Sequence, residues 1–257
     1  MDRKKVLLVG ETWMSSSTHF KGFDQFGSVT FHSGAGPLQK ALEGSRFELI
    51  HMPAHEAVEK LPFDLDGLNQ YDAILLSDIG ANSLLLHPDV WLNGKTVPNR
   101  LKLLKEWTAR GGGLAMIGGY LTFQGIDGRG RWRRTPVEDV LPVSCLPYDD
   151  RIEAPEGFKP VLTAGADHPI VEGLDGDWPV LLGANEVTLK DRPDVEVLAT
   201  LPQEQGGHPL LVVGNYEKGR TLAWMSDLSP HWLPTSFSDW PGYSTLWRNA
   251  LGWLTKS

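Results

Sequence analysis

A chain of 257 residues, 41% apolar and 22% charged, is long enough and apolar enough to bury a sizeable core. Its net charge of −8 favours solubility and argues against a nucleic-acid partner, because phosphate binding needs a basic surface. A single cysteine excludes an internal disulfide and fits a reducing compartment.

Lys5 to Gly10 reads as a first, central strand, apolar and closed by glycine, with Glu11-Thr12-Trp13 at its carboxyl end. Its apolar run, Val6 to Val9, is too short for a signal peptide or a membrane span, so a cytoplasmic protein without membrane contact is expected. Met14 to Gly36 reads as a polar, glycine-containing loop, long enough to be functional or to carry short structure. Pro37 to Leu42 starts a helix, and Phe47 to Met52 fits a second strand. Tyr71 to Asp78 is the clearest strand, leaving through Ser77-Asp78-Ile79-Gly80. Leu101, Leu103, Leu104 and Trp107 follow Asn99 at helical spacing.

Gly111 to Gly113 can end that helix and turn the chain into Leu114 to Ile117, a run with the length of a buried strand. Gly118-Gly119-Tyr120 then turns sharply off it. Residues without Cβ let the chain turn tightly and let a ligand or another backbone come close. The turn carries no Ser, Cys or Thr, so it has the shape of a nucleophile elbow without the reactive atom.

From Ile126 to Pro209 the segments are short and β-like, as in Val161 to Thr163, Val180 to Leu182 and Val195 to Thr200. His168 to Leu174 reads as a turn into a short element. Pro209 to Tyr216 and Thr221 to Ser226, joined through Glu217-Lys-Gly-Arg220, read as a hairpin at the edge of the sheet. Trp240 to Leu254 has the spacing of an amphipathic terminal helix. The ten tryptophans crowd toward this end, which implies a thick core or a buried contact surface, the latter a route to a homo-oligomer. Alternating strands and helices predict a single α/β domain over residues 1–257. Its expected architecture is a flavodoxin-like, doubly wound, mostly parallel sheet, with helices on both faces and extra β-rich insertions.

Several motifs fail on context. Asn93-Gly-Lys-Thr96 ends like a phosphate-binding loop but lacks the upstream glycine and the strand leading in. The glycines at 111 to 113 precede a strand, the wrong order for a dinucleotide fingerprint. Pro53 disfavours one helix face for His51 and His55, so no metal pair is expected. Cys145 reads as a small buried hydrophobe, and Arg129 to Arg134 as a solvated basic loop. No cofactor and no metal are implied.

Ser226-Asp-Leu-Ser-Pro-His-Trp232 gathers a carboxylate, two hydroxyls and an imidazole after an apolar strand, a set suited to acid–base work or to orienting a substrate. The structural reading is a loop in which Asp227 caps the next turn. Glu11, Asp78 and Gly118 also end strands, and a parallel sheet would bring all these groups to one edge.

The order of elements, the glycine turn after Ile117 and the ending Gly219-Arg-Thr-Leu-Ala-Trp-Met-Ser-Asp-Leu-Ser-Pro-His-Trp…Trp240-Pro-Gly-Tyr…Leu246-Trp-Arg-Asn…Trp253-Leu resemble the class I glutamine amidotransferase-like superfamily. More narrowly, they resemble its uncharacterised bacterial branch of amidotransferase-like and cytoplasmic proteins. The resemblance implies a Cys at a strand-to-helix elbow and a later His-Pro-Glu in active members. Laid on this chain, those positions fall at Gly118 or Gly119, at Asp227 and at Ser229. The fold therefore carries over and glutamine hydrolysis does not. The expected function is binding of a small polar ligand at the strand ends by Glu11, Asp78, Gly118, Gly119, Tyr120, Asp227 and His231, with turn N–H groups offering an anion or carbonyl site. The alternatives are a hydrolase or carbohydrate-processing enzyme using Asp227 and His231, or a homo-oligomeric assembly protein built on the Trp-rich C-terminal segment.

Overall fold

The computed structural model describes residues 3–163, 167–174 and 176–257. The first strand, β1 (Lys4–Gly10), is followed by a two-stranded ribbon, β2 (Thr12–Lys21) and β3 (Asp24–Ser33). Then come β4 (Phe47–Met52), β5 (Ala73–Ser77) and β6 (Gly113–Ile117). Short strands β7 (Val143–Cys145), β8 (Arg151–Phe158), β9 (Val161–Leu162), β10 (Leu181–Asn185), β11 (Val187–Leu189) and β12 (Glu196–Thr200) precede the long hairpin of β13 (Pro209–Tyr216) and β14 (Gly219–Trp224).

Eight strands form one sheet in the order β4-β1-β5-β6-β14-β13-β12-β9. The first five run parallel. Taken by their sequence rank they lie 2-1-3-4-5, the flavodoxin-like order, and the order reverses between β1 and β5. Every residue of β5 and β6 is buried, as a strand covered on both faces requires. The helix Gly36–Leu42 packs with the terminal helix Pro241–Leu254. Ala54–Lys60 packs with Ala81–Leu85, which packs with Arg100–Ala109. The last of these starts where the sequence predicts, because the Asn99 side chain accepts from the N–H groups of Leu101 and Lys102. Among the described residues no helix is long and apolar enough to cross a membrane.

Two expectations need correction. The stretch expected as a loop from Met14 to Gly36 is mostly the β2–β3 ribbon, paired without a register break from Thr12↔Ser33 to Lys21↔Asp24. Alternating Ser/Thr with aromatics suits a ladder exposed on both faces, which hydrophobicity alone does not reveal. The β13–β14 hairpin is not at the edge: β14 is interior, parallel to β6, and β12 and β9 continue the sheet beyond β13. A hairpin signal fixes the partner on one side of a strand and says nothing of the other. Of the two readings of the C-terminal tryptophans, the thick core holds for Trp178, Trp224, Trp232 and Trp247, all buried. Trp178, Trp224, Phe237 and Trp240 pack as one aromatic cluster.

Candidate functional site

The carboxyl ends of β1, β5, β6 and β14 meet around one cavity of about 440 Å³. Five of the seven expected residues line it: Glu11, Asp78, Tyr120, Asp227 and His231. Gly118 and Gly119 lie beneath them and do not. The cavity also takes in Trp13, Leu121, Ile126, Arg129, Ser229 and Pro230.

Glu11 leaves β1, and Asp78 leaves β5, at the reversal point of the sheet, where doubly wound folds bind ligands. Both adopt left-handed backbone, with φ of 53° and 40°. Such strain is held in place only by surrounding contacts and tends to gather at functional sites. Here the Glu11 N–H donates to the Ser77 carbonyl at 2.8 Å, and the Leu121 N–H donates to Asp78 Oδ1 at 2.8 Å. The Glu11 carboxyl is held by the hydroxyls of Ser77 (2.5 Å) and Ser229 (2.8 Å). Gly34 is what lets Ser229 reach it, since a Cβ there would overlap both side-chain oxygens.

Asp227 Oδ2 accepts from His231 Nδ1 and from the Trp232 N–H, each at 2.8 Å. The expected His–Asp pair and the capping turn are thus one arrangement. Among the described residues, Oδ1 of Asp227 accepts no hydrogen bond. Tyr120 packs edge-on against His231, with ring centroids 4.1 Å apart, and Arg151 stacks on the Tyr120 ring.

The turn after β6 differs from the expected anion site. Three of its N–H groups are spent within the chain: Gly118 donates to the Trp224 carbonyl, Gly119 to Asn185 Oδ1 and Leu121 to Asp78. No helix follows at once, so the chain leaves β6 into a loop. Gly119 has φ of 141°, and a Cβ on it would sit 2.8 Å from Asp78 Oδ1 and 3.0 Å from Asp227 Oδ1. Its missing side chain leaves two carboxylates facing one small space.

Acidic groups this close do not ionise freely. Burial, with the Asp227 charge adding, raises the Glu11 pKa to about 7, against the pull of the Ser77 hydroxyl. Burial and the same neighbour raise Asp78 to about 6. Burial also pushes Asp227 up, although its hydrogen bond from His231 pulls the other way. Burial opposes a charged His231, but the hydrogen bond to Asp227 and the surrounding carboxylates outweigh it and raise its pKa.

These directions have a consequence for stability. Glu11 binds its proton more tightly folded than unfolded, so its contribution is complete below pH 4.5 and is lost as pH rises through about 7. The loss is about 3 kcal/mol by linkage. Denaturant melts of Glu11→Gln should therefore show a flatter pH dependence between these limits than wild type. Parallel curves for the two proteins would contradict the burial of an ionisable Glu11.

Sequence reasoning found the strand-end carboxylates because each follows an apolar run. It missed Trp13 as a wall, since that residue lies at the root of the unforeseen ribbon. It also missed Ser77 and Ser229 as supports of Glu11, which are far away in sequence. His51 Nε2 donates to the Gly10 carbonyl at 2.9 Å. Among the described residues no group of three His, Cys, Asp or Glu could hold a metal ion. Cys145 is buried in β7, and burial pushes its thiol pKa well up, as suits an inert side chain.

A family model described as "Putative glutamine amidotransferase" matches residues 5–256. Two solved structures of cytoplasmic proteins from Salmonella typhimurium, STM3548 and STM1381, are each 40% identical to the chain with a TM-score of 0.90. Each alignment covers 97% of this chain, with 98% and 99% of the other. A thuA-like protein from Parabacteroides merdae shares the fold at 13% identity and a TM-score of 0.56, over 99% of this chain and 90% of that one. No curated protein matches.

Proposed function

The chain belongs to the glutamine amidotransferase-like family that matches it from residue 5 to residue 256, and from that premise we propose a ligand-binding member, cytoplasmic like its Salmonella relatives, whose hydrolytic machinery is gone. The whole chain is read as one such domain. The ligand is small and rich in hydrogen-bond donors. The observation that supports this reading is the space above Gly119, faced by Oδ1 of Asp78 and Oδ1 of Asp227, the latter lacking a partner. With Glu11 beside them, the floor of the cavity offers three carboxyl groups. Trp13, Leu121 and Ile126 offer apolar walls above it. Hydroxyls or a protonated amine fit such a floor, whereas a carboxylate or phosphate meets repulsion.

Glutamine hydrolysis needs a nucleophile that the turn lacks, since Gly118 and Gly119 carry no side chain. Purified protein should release no glutamate from glutamine above blank. Release that disappears in Cys145→Ala would overturn this part of the reading.

Binding is tested by calorimetry against a panel of small amines, polyols, carboxylates and phosphates. Donor-rich compounds should bind, and more tightly as pH rises through about 6 to 7, because Asp78 and Glu11 then ionise. Asp227→Asn and His231→Ala should each weaken binding by about ten- to a hundredfold, as loss of a hydrogen bond to a charged group does. The double variant should lose little more than either single, since the two act as a unit. Preferential binding of anions, or unchanged affinity in both variants, would remove the proposal.

A further inference from the structure

The β2–β3 ribbon carries an observation that the pocket does not use. Its two ten-residue strands pair only with each other, and at about 3.4 Å per residue they span roughly 30 Å. The register puts Met14, Phe20, Val29 and Phe31 on one face, and each is half or more exposed. The opposite face looks after itself. There Trp13 stacks on His32, His19 stacks on Phe26, and both histidines hydrogen-bond to serines across the ladder. A lone two-stranded ribbon is marginal in water, and four exposed large apolar side chains on one face favour a cover.

We propose that this cover is the same face of a second copy of the chain, the two ribbons packing about a twofold axis. Charge points to self-association here. In a chain of net charge −8, the segment from Thr12 to Ser33 carries only Lys21 and Asp24, which pair across the ladder. It is a neutral surface on an acidic protein, so two copies meet there without the repulsion they meet elsewhere. The edges agree too: neither strand carries a proline or a bulge, and the single Lys stands at the tip, so the devices that keep exposed ribbons apart are missing.

Sedimentation of the full chain, with mass from light scattering, tests the idea. Wild type should run at twice the 28.4 kDa of one chain. The triple variant Phe20→Ser, Val29→Thr, Phe31→Ser should run at half that mass, with the melting of the body retained. Because such changes could also unfold the ribbon, a second variant keeps its fold. Val29→Cys, on a background whose only other cysteine is buried Cys145, should be joined to its copy by a short thiol cross-linker. A monomeric wild type, a triple variant that stays dimeric, or a Val29→Cys protein that fails to cross-link would each overturn the proposal. None of these outcomes depends on the pocket holding a ligand.

Discussion

Replacing Gly118 by valine should destabilise the protein by about 5 kcal/mol, or lower its melting temperature by about 10–20 °C, because only exceptional sites exceed 4–5 kcal/mol. The reason is approach and not conformation. Gly118 itself does not have the positive φ of Gly119. A Cβ on it would overlap the Met225 carbonyl at the exit of β14 and lie 2.8 Å from Asn185 Oδ1. Both groups are already committed. The Met225 carbonyl accepts from the Asn185 N–H at 2.8 Å. The Asn185 side chain accepts from the Gly119 N–H and donates to the Gly119 carbonyl and to Asp150. One methyl group would therefore push apart the exits of two parallel strands and break the clamp that shapes the floor of the cavity. Since the first carbon does the damage, Gly118→Ala should be nearly as harmful as Gly118→Val. Thermal melts of both decide it, and a shift of only a few degrees in either would show that the turn can give way.

The second large effect lies far from the cavity. Arg100 is buried, and its guanidinium meets no carboxylate. Its Nε donates to the Leu84 carbonyl at 2.7 Å, Nη2 to Val58 at 2.9 Å, and Nη1 to Ala57 at 3.1 Å and Leu61 at 3.4 Å. These carbonyls end the helices Ala54–Lys60 and Ala81–Leu85, where orphan acceptors and the negative pole of the helix dipole favour a cation. The ring of Phe63 covers the guanidinium at 4.7 Å. Burial lowers the Arg100 pKa to about 10, still charged at neutral pH. Arg100→Met would fill much of the volume and leave the carbonyls of Val58, Leu61 and Leu84 without donors, at about 3–5 kcal/mol. Arg100→Lys should fall between, because a point charge cannot reach both helix ends at once. Urea melts of the two variants give the order. A methionine variant as stable as wild type would show that water or a backbone shift replaces the fork.

The parallel half of the sheet was legible because β1, β5 and β6 are short apolar runs with a polar or glycine exit, and burial on both faces leaves no other reading. The Asn99 cap and the spacing of Tyr243, Leu246, Trp247, Ala250, Leu251 and Leu254 placed two helices in the same way. The candidate site was legible only as far as it sits at strand ends. Glu11, Asp78 and Asp227 declare themselves by position, since each stands one small residue beyond an apolar run. Their company does not. The Ser229–Glu11 contact and the Asn185–Gly119 clamp join residues far apart in sequence, and no local pattern records such a pairing. The ribbon escaped for a different reason. With serines and threonines between its aromatics, it lacks the clean alternation by which a half-buried strand is recognised.

The place of β14 has a meaning for how the molecule is made. Four strands, β4, β1, β5 and β6, have been synthesised by Ile117, yet the strand that pairs with the far side of β6 begins only at Gly219. While the ribosome adds everything between, any sheet these strands form has a raw edge at Gly113 to Ile117, a segment wholly buried in the finished protein. Long-range pairing of this kind is slow and leaves strand edges open to wrong partners. The insertion that supplies Asp150 and Asn185 to the turn must therefore be kept aside until β14 arrives. The floor of the cavity waits for the last strand to leave the ribosome.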